Sequence, residues 1–170
     1  MHHRRESGFT LIELMVTIAI VAILLVIGLP SFQGSLRSNR VATSTNELMA
    51  SVSLARTEAI RSTKTATICA SSDGTSCGTD WNQGWIVWTD NDGNNTLAAS
   101  EIVRYVQASS DLSLATASAA GTIKFDNRGR ADTAQTFTLK PSNCPSGQTL
   151  QRELKVTSVG QVNMKKENCP

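Results

Sequence analysis

A run without charge from Leu14 to Leu36 limits this chain more than any other feature. It is entered through a basic leader, His2-His3-Arg4-Arg5, and carries Glu13 at its start. From Phe9 to Pro30 the apolar span is 22 residues, enough as a helix to cross about 30 Å of hydrocarbon. Between Leu14 and Leu29 the only clearly polar side chain is Thr17. A secretory signal peptide shares the basic start and the apolar core. This run is long for that role, and Gly28-Leu29-Pro30-Ser31 is a poor small-x-small cleavage site. The span therefore reads as an anchor, and the basic leader predicts a cytoplasmic start with the remainder exported. A carboxylate inside lipid costs about 3 kcal/mol, so Glu13 reads as a functional residue.

Beyond Pro30 the apolar pattern becomes amphipathic. Val41, Leu48, Val52, Ala55 and Ala59 recur in steps of seven, four, three and four, a stripe along one face of a helix. Arg40, Glu47, Arg56 and Glu58 lie off that stripe. The pattern predicts one helix from about Phe9 to about Arg61, with a kink expected near Pro30. Its second half is expected to pack under a sheet.

After Arg61 the pattern changes to short alternating segments. Strands are predicted over 65–70, 84–89, 101–107, 122–126, 136–140 and 153–159. The segments DGTSCG, DNDGNN, NRG and PSNCPSG between them are turn chemistry. The Ala/Ser-rich stretch 108–120 reads as an irregular connection or a weak strand. A long helix followed by consecutive strands gives an α+β fold, with a small antiparallel sheet domain packed on the second half of the helix.

Four cysteines, Cys69, Cys77, Cys144 and Cys169, all lie beyond the anchor. An even count in an exported domain points to two disulfides. Three pairings exist; Cys69–Cys77 closes the turn-rich SSDGTSC loop, and Cys144–Cys169 ties the tail back. Zinc is the rival, but there is no Cys-x-x-Cys pair, and both histidines lie in the leader. With no histidine after residue 3 and no phosphate loop or nucleophile pair, the sequence implies no enzyme and no cofactor. Trp81, Trp85 and Trp88 read as core and hairpin packing.

Net charge is +2 but unevenly spread. Residues 62–120 hold two basic and six acidic side chains, and residues 121–170 hold eight basic and four acidic. The basic set is Lys124, Arg128, Arg130, Lys140, Arg152, Lys155, Lys165 and Lys166. Arg128-Gly129-Arg130 is expected in a turn, with two guanidiniums projecting toward phosphate oxygens. The competing reading is a solvated basic face, or one that docks an acidic neighbour. Asp90, Asp92, Asn94 and Glu101 fall at positions one, three, five and twelve of a calcium-loop spacing. Asn95 stands where that loop needs glycine, and the flanks read as strands, so no metal site is assigned.

The segment GFTLIELMVTIAIVAILLVIGLPSF resembles the N-terminal signature of type IV pilins and type II secretion pseudopilins: leader glycine, phenylalanine, a glutamate four residues on, the apolar run and the proline. The resemblance implies cleavage between Gly8 and Phe9 by a prepilin peptidase at the cytoplasmic face, then N-methylation of Phe9. It also implies that Glu13 pairs with the free amino terminus of a neighbouring subunit. Within the second half, TEAIRSTKTATIC, GWIVWTDNDGNNTLAASEIVRY and GTIKFDNRGRA resemble the GspH/FimT family of minor pilins and pseudopilins. That resemblance implies three parts: a cleaved leader 1–8, a transmembrane and filament-core helix 9–36, and a periplasmic head 37–170 carrying the rest of the helix. It implies a minor pilin of a type IV pilus that primes or caps assembly, in the inner membrane and then in the filament. Its partners are other pilins, the peptidase and an inner-membrane assembly platform. A minor pseudopilin of a type II secretion system is the alternative. A DNA-binding subunit for uptake is a third reading. In such subunits a Gly-Arg-x-Arg motif near the C-terminus carries binding; here that stretch reads Gly160-Gln161-Val162-Asn163, with Lys165 and Lys166 as the nearby cations.

Overall fold

The computed structural model describes residues 9–117 and 121–170, apart from the side chains of residues 27 and 29–31. The leader, including Gly8, lies outside the described residues. The chain divides into two compact units, one ending at Ser38 and one running from Asn39 to Pro170.

A single helix, α1 (Leu11–Ser62), supplies the described helical part of the first unit and the first element of the second. Thr10 starts it: its hydroxyl accepts a hydrogen bond from the Glu13 amide at 3.3 Å. This Thr-x-x-Glu pair satisfies one of the N–H groups that a helix start leaves without a partner. The helix is continuous through position 30; the kink expected at Pro30 falls on a residue whose side chain lies outside those described. Every described side chain from Phe9 to Val26 is exposed. Among the described residues no helix is long and apolar enough to cross a membrane.

In the second unit the helix buries Val41, Thr45, Leu48, Val52, Ala55 and Ala59, the face its apolar steps define. Thr45 and Ser51 are buried with them, and each returns its hydroxyl to the carbonyl four residues back (Val41 and Glu47), so neither hydroxyl is orphaned in the core. The helix stops at Ser62, whose hydroxyl donates to the Glu58 carbonyl. Thr63 then turns left-handed, with φ 57°, a conformation that ends a right-handed helix.

Eight strands follow: β1 (Thr65–Ala70), β2 (Gly84–Asp90), β3 (Ile102–Gln107), β4 (Leu112–Thr116), β5 (Thr122–Phe125), β6 (Gln135–Pro141), β7 (Gln151–Val156) and β8 (Val162–Glu167). They form two antiparallel four-stranded sheets, ordered β3-β2-β1-β5 and β4-β6-β7-β8. The α+β expectation and the antiparallel pairing hold; the division into two sheets is a structural finding. So are β4, which lies within the stretch read as irregular or weakly stranded, and β8, which sequence patterning did not reveal.

One core joins the helix to both sheets. Ile68, Val87, Ile123 and Phe125 come from the first sheet, and Leu114, Phe137, Leu139 and Leu154 from the second. Trp81 stands edge-on to Phe137 with ring centres 4.8 Å apart, a favoured aromatic geometry. β2 is buried along its whole length, because its other face carries a second small cluster of Cys69, Ile86 and Trp88 capped by Leu97. In β6 the burial alternates, with Gln135, Phe137, Leu139 and Pro141 inward. That two-residue period is what one covered sheet face requires.

Disulfides join Cys69 to Cys77 and Cys144 to Cys169, each with Cα atoms 5.6 Å apart. The first clips the loop after β1; the second fastens residue 169 to the β6–β7 connection. A cross-link stabilises by restricting the unfolded chain, and more so for longer loops. From their separations of 8 and 25 residues, replacing both cysteines by serine is expected to cost about 2.5 kcal/mol for the first pair and about 3.5 kcal/mol for the second. Urea denaturation of the two double variants checks the order; a larger loss for the shorter loop contradicts it.

Candidate assembly site

The first unit presents one ionisable side chain on an otherwise apolar helix face between Leu11 and Val26, Glu13. It stands in the first turn, where a carboxylate faces the positive end of the helix dipole. Its backbone amide is bonded to Thr10, yet among the described residues no hydrogen bond or ion pair reaches its carboxylate. Leu11, Ile12, Leu14 and Met15 surround it, each more than half exposed. An apolar surface of this kind, with an unpartnered charge within it, calls for a partner outside the chain.

In the head, the expected cationic residues do not converge. Asp126 organises the turn after β5: its carboxylate accepts the Arg128 and Arg130 amides, each at 2.9 Å, and the Arg130 guanidinium at 2.8 Å. The Arg130 amide is the chief reason that Asp126 titrates below its ordinary range, and the guanidinium adds to it. Arg130 is thereby drawn back onto the turn, and of the two arginines only Arg128 stands without an ion pair among the described residues. Lys165 and Lys166 sit at consecutive positions of β8, opposite Glu153 and Arg152 respectively, so they point to opposite faces of the sheet. Lys165 is paired with Glu167 at 2.9 Å. Lys124 donates to the Asn95 side chain, and Arg152 is buried, donating to the carbonyls of Thr149 and Gln151.

Gly160 through Asn163 run from the β7–β8 turn into β8. They line one wall of an open groove of about 580 Å³ whose other wall is α1, through Met49, Ser53 and Arg56. Gly160 has φ +74°, and a Cβ there would meet the Gly129 carbonyl oxygen at 2.1 Å, so this turn is closed to any larger residue. The groove holds one guanidinium, from Arg56, whose Nε is buried without a hydrogen-bond partner. Sequence patterning placed Arg56 merely off the core stripe; nothing local signals that two turns close over it.

Asp90, Asp92 and Glu101 bring carboxylate oxygens within 4.8 Å of one another, as their spacing suggested. They could hold a divalent cation only by giving up bonds already made. Asp90 accepts the amides of Gly93 and Asn95, and Glu101 accepts those of Asn91 and Ala98. Both are buried and fasten the two legs of the 91–98 loop. Asp73 does the same in the first disulfide loop, where the Thr75 amide, the Ser76 hydroxyl and the Ser76 amide hold its carboxyl far below the usual range. A depressed carboxylate contributes stability that is fully present above its unfolded value, near pH 4, and is lost as pH falls through the folded one. The stability difference between the native chain and Asp73→Asn is therefore expected to be constant above about pH 5 and to shrink below pH 4. Parallel acid titrations by circular dichroism read it, and a difference that grows on acidification reverses the sign.

Comparison with known proteins places this geometry. The family model described as type II transport protein GspH matches residues 44–160, and the prokaryotic N-terminal methylation motif matches residues 3–29. Among solved structures, the chain is similar to the type IV minor pilin FimU of Pseudomonas aeruginosa, with TM-score 0.57 and 22% identity over 75% of this chain and 89% of that one. A second crystal form of FimU gives TM-score 0.55. The minor pseudopilin EpsH from the type 2 secretion system of Vibrio cholerae is similar at TM-score 0.52 and 14% identity, over 75% of this chain and 97% of that one. No curated protein matches the sequence. A long N-terminal helix on an antiparallel head, a methylation motif that runs into the start of that helix and a family match over most of the chain describe a structural subunit rather than an enzyme: the chain belongs to the GspH family, as a type IV pilin-like minor pilin or pseudopilin.

Proposed function

We propose that the chain is a minor pilin of a type IV pilus, cleaved between Gly8 and Phe9, methylated on Phe9 and incorporated through its N-terminal helix to prime or cap assembly. The observation that carries this reading is the Glu13 carboxylate, unpartnered among the described residues and set in an exposed apolar helix. An opposite charge from a neighbouring subunit answers it, since two charges in low dielectric satisfy each other where neither is tolerated alone. The helix from Phe9 to Leu36 is read as the inner-membrane anchor before assembly, with the disulfide-bonded head on the exported side. Its partners are then other pilins, the prepilin peptidase and the assembly platform.

Incorporation into a secretion pseudopilus is the second reading, and the match to the GspH family model favours it. Deleting the gene separates them. Loss of surface filaments with exoprotein secretion intact supports the pilus, and the reverse phenotype overturns it. For DNA, the arrangement offers little: Arg130 is tied to Asp126, the two tail lysines diverge, and the groove beside Gln161 and Asn163 holds only Arg56.

A further inference from the structure

Asn94-Asn95-Thr96 is the only Asn-x-Ser/Thr triplet in the chain, and Asp92 stands two residues before its asparagine. Such a triplet in an exported surface loop is an acceptor pattern for glycan transfer to the asparagine side chain. Residues 91–96 are all exposed. The loop is held from below, by Asp90 and Glu101, through backbone amides on its two legs. That leaves its tip to present side chains outward.

The bonds of the tip converge on the Asn94 carboxamide from both ends. Its Nδ2 donates to the Asp92 carboxylate at 2.7 Å. Its Oδ1 accepts the Thr96 amide at 2.6 Å and the Thr96 hydroxyl as well. An amide nitrogen is a poor nucleophile because its lone pair is delocalised into the carbonyl, the same resonance that flattens the peptide bond. Donors on the oxygen draw charge from the nitrogen and so make its N–H more acidic, and a carboxylate on that proton favours its removal. Turn formation alone needs only the bonds to the oxygen. The added carboxylate on Nδ2 goes beyond what the turn needs and places an acceptor for its proton.

We propose that Asn94 is an N-glycosylation site, taking an oligosaccharide from a polyprenyl-pyrophosphate donor through a membrane-bound oligosaccharyltransferase. Nδ2 gives up one proton to a carboxylate and attacks the anomeric carbon. The Nδ2–C1 bond forms, the C1–oxygen bond to phosphate breaks, and the polyprenyl pyrophosphate leaves with the electron pair. Asp92 and Thr96 are positioning residues for this step. The proposal rests on the exported head described above, because lipid-linked donors of this class are used on that side.

The test expresses the full chain in a bacterial host that makes an N-linking oligosaccharyltransferase and a hexosamine-containing lipid-linked oligosaccharide. The tryptic peptide spanning residues 65–104 is then weighed. Its mass is expected to rise by one glycan, to stay unmodified in Asn94→Gln and Thr96→Ala, and to rise again in Thr96→Ser. Removing one charge-assisted hydrogen bond with Asp92→Ala is expected to lower occupancy about tenfold. An unmodified peptide overturns the site when the four cysteines are oxidised and a control acceptor in the same cells is glycosylated. Four free thiols beside an unmodified peptide overturn instead the exported topology, and the site with it.

Discussion

Replacing Glu13 with alanine is expected to leave the chain processed and membrane-inserted, yet to cut its recovery in sheared filaments about a hundredfold. Removing one member of a buried ion pair costs roughly 3–5 kcal/mol, because the other charge stays buried without compensation. At about 1.4 kcal/mol per tenfold change, that cost is two decades or more of occupancy. In the proposed filament the group left behind is the methylated amino terminus of a neighbour. Glu13→Gln keeps the shape and one acceptor but loses the charge, so it is expected to fall between the two. The readout is the ratio of this chain in sheared and membrane fractions by immunoblot. An unchanged ratio confines Glu13 to its other role, in the first turn beside the Thr10 cap. Thr10→Ala provides the control: it removes that cap, worth about 1 kcal/mol at a helix start, while leaving the carboxylate available.

The second large effect is expected in the head. Phe137 is fully buried, meets Trp81 edge-on, and is held between Thr116 of β4 and Leu154 of β7. Phe137→Ala removes the ring and leaves a cavity that flanking strands cannot close, a loss of about 4 kcal/mol. Domains of this size hold only about 5–15 kcal/mol in total, so the variant is expected to be near the edge of folding. Denaturant melts with an unchanged slope measure it, and Phe137→Leu is expected to recover most of the loss. A Phe137→Ala loss under about 1 kcal/mol would mean that the two sheets do not share one core.

Much of this was legible in the sequence because it is governed by local chemistry. The helix face from Val41 to Ala59 follows from apolar spacing alone, and it is the buried face. The strand pattern of β1, β2, β3, β5, β6 and β7 shows in alternation and in the turn residues between them. β8 is different. Its residues Val162-Asn163-Met164-Lys165-Lys166-Glu167 are largely exposed on both faces, and they are extended because β7 offers a complete ladder of partners. β4, rich in serine and alanine, is likewise held by its register against β6. The split into two sheets depends on pairings between distant segments, which no local window contains. The same limit applied to the cationic residues. Their number was readable, but their directions were not, since Asp126 decides where Arg130 goes and β8 sends Lys165 and Lys166 apart.

The divergence of those two lysines has a consequence for how heads sit beside one another. β8 is the outermost strand of its sheet, with a row of backbone donors and acceptors that another strand would otherwise join. An approaching strand must strip water from an ammonium above the sheet and another below it, whichever face it favours. Neighbouring heads can therefore touch without knitting into a continuous sheet. In the proposed filament, contacts of that kind leave each head a separate body beside its neighbours.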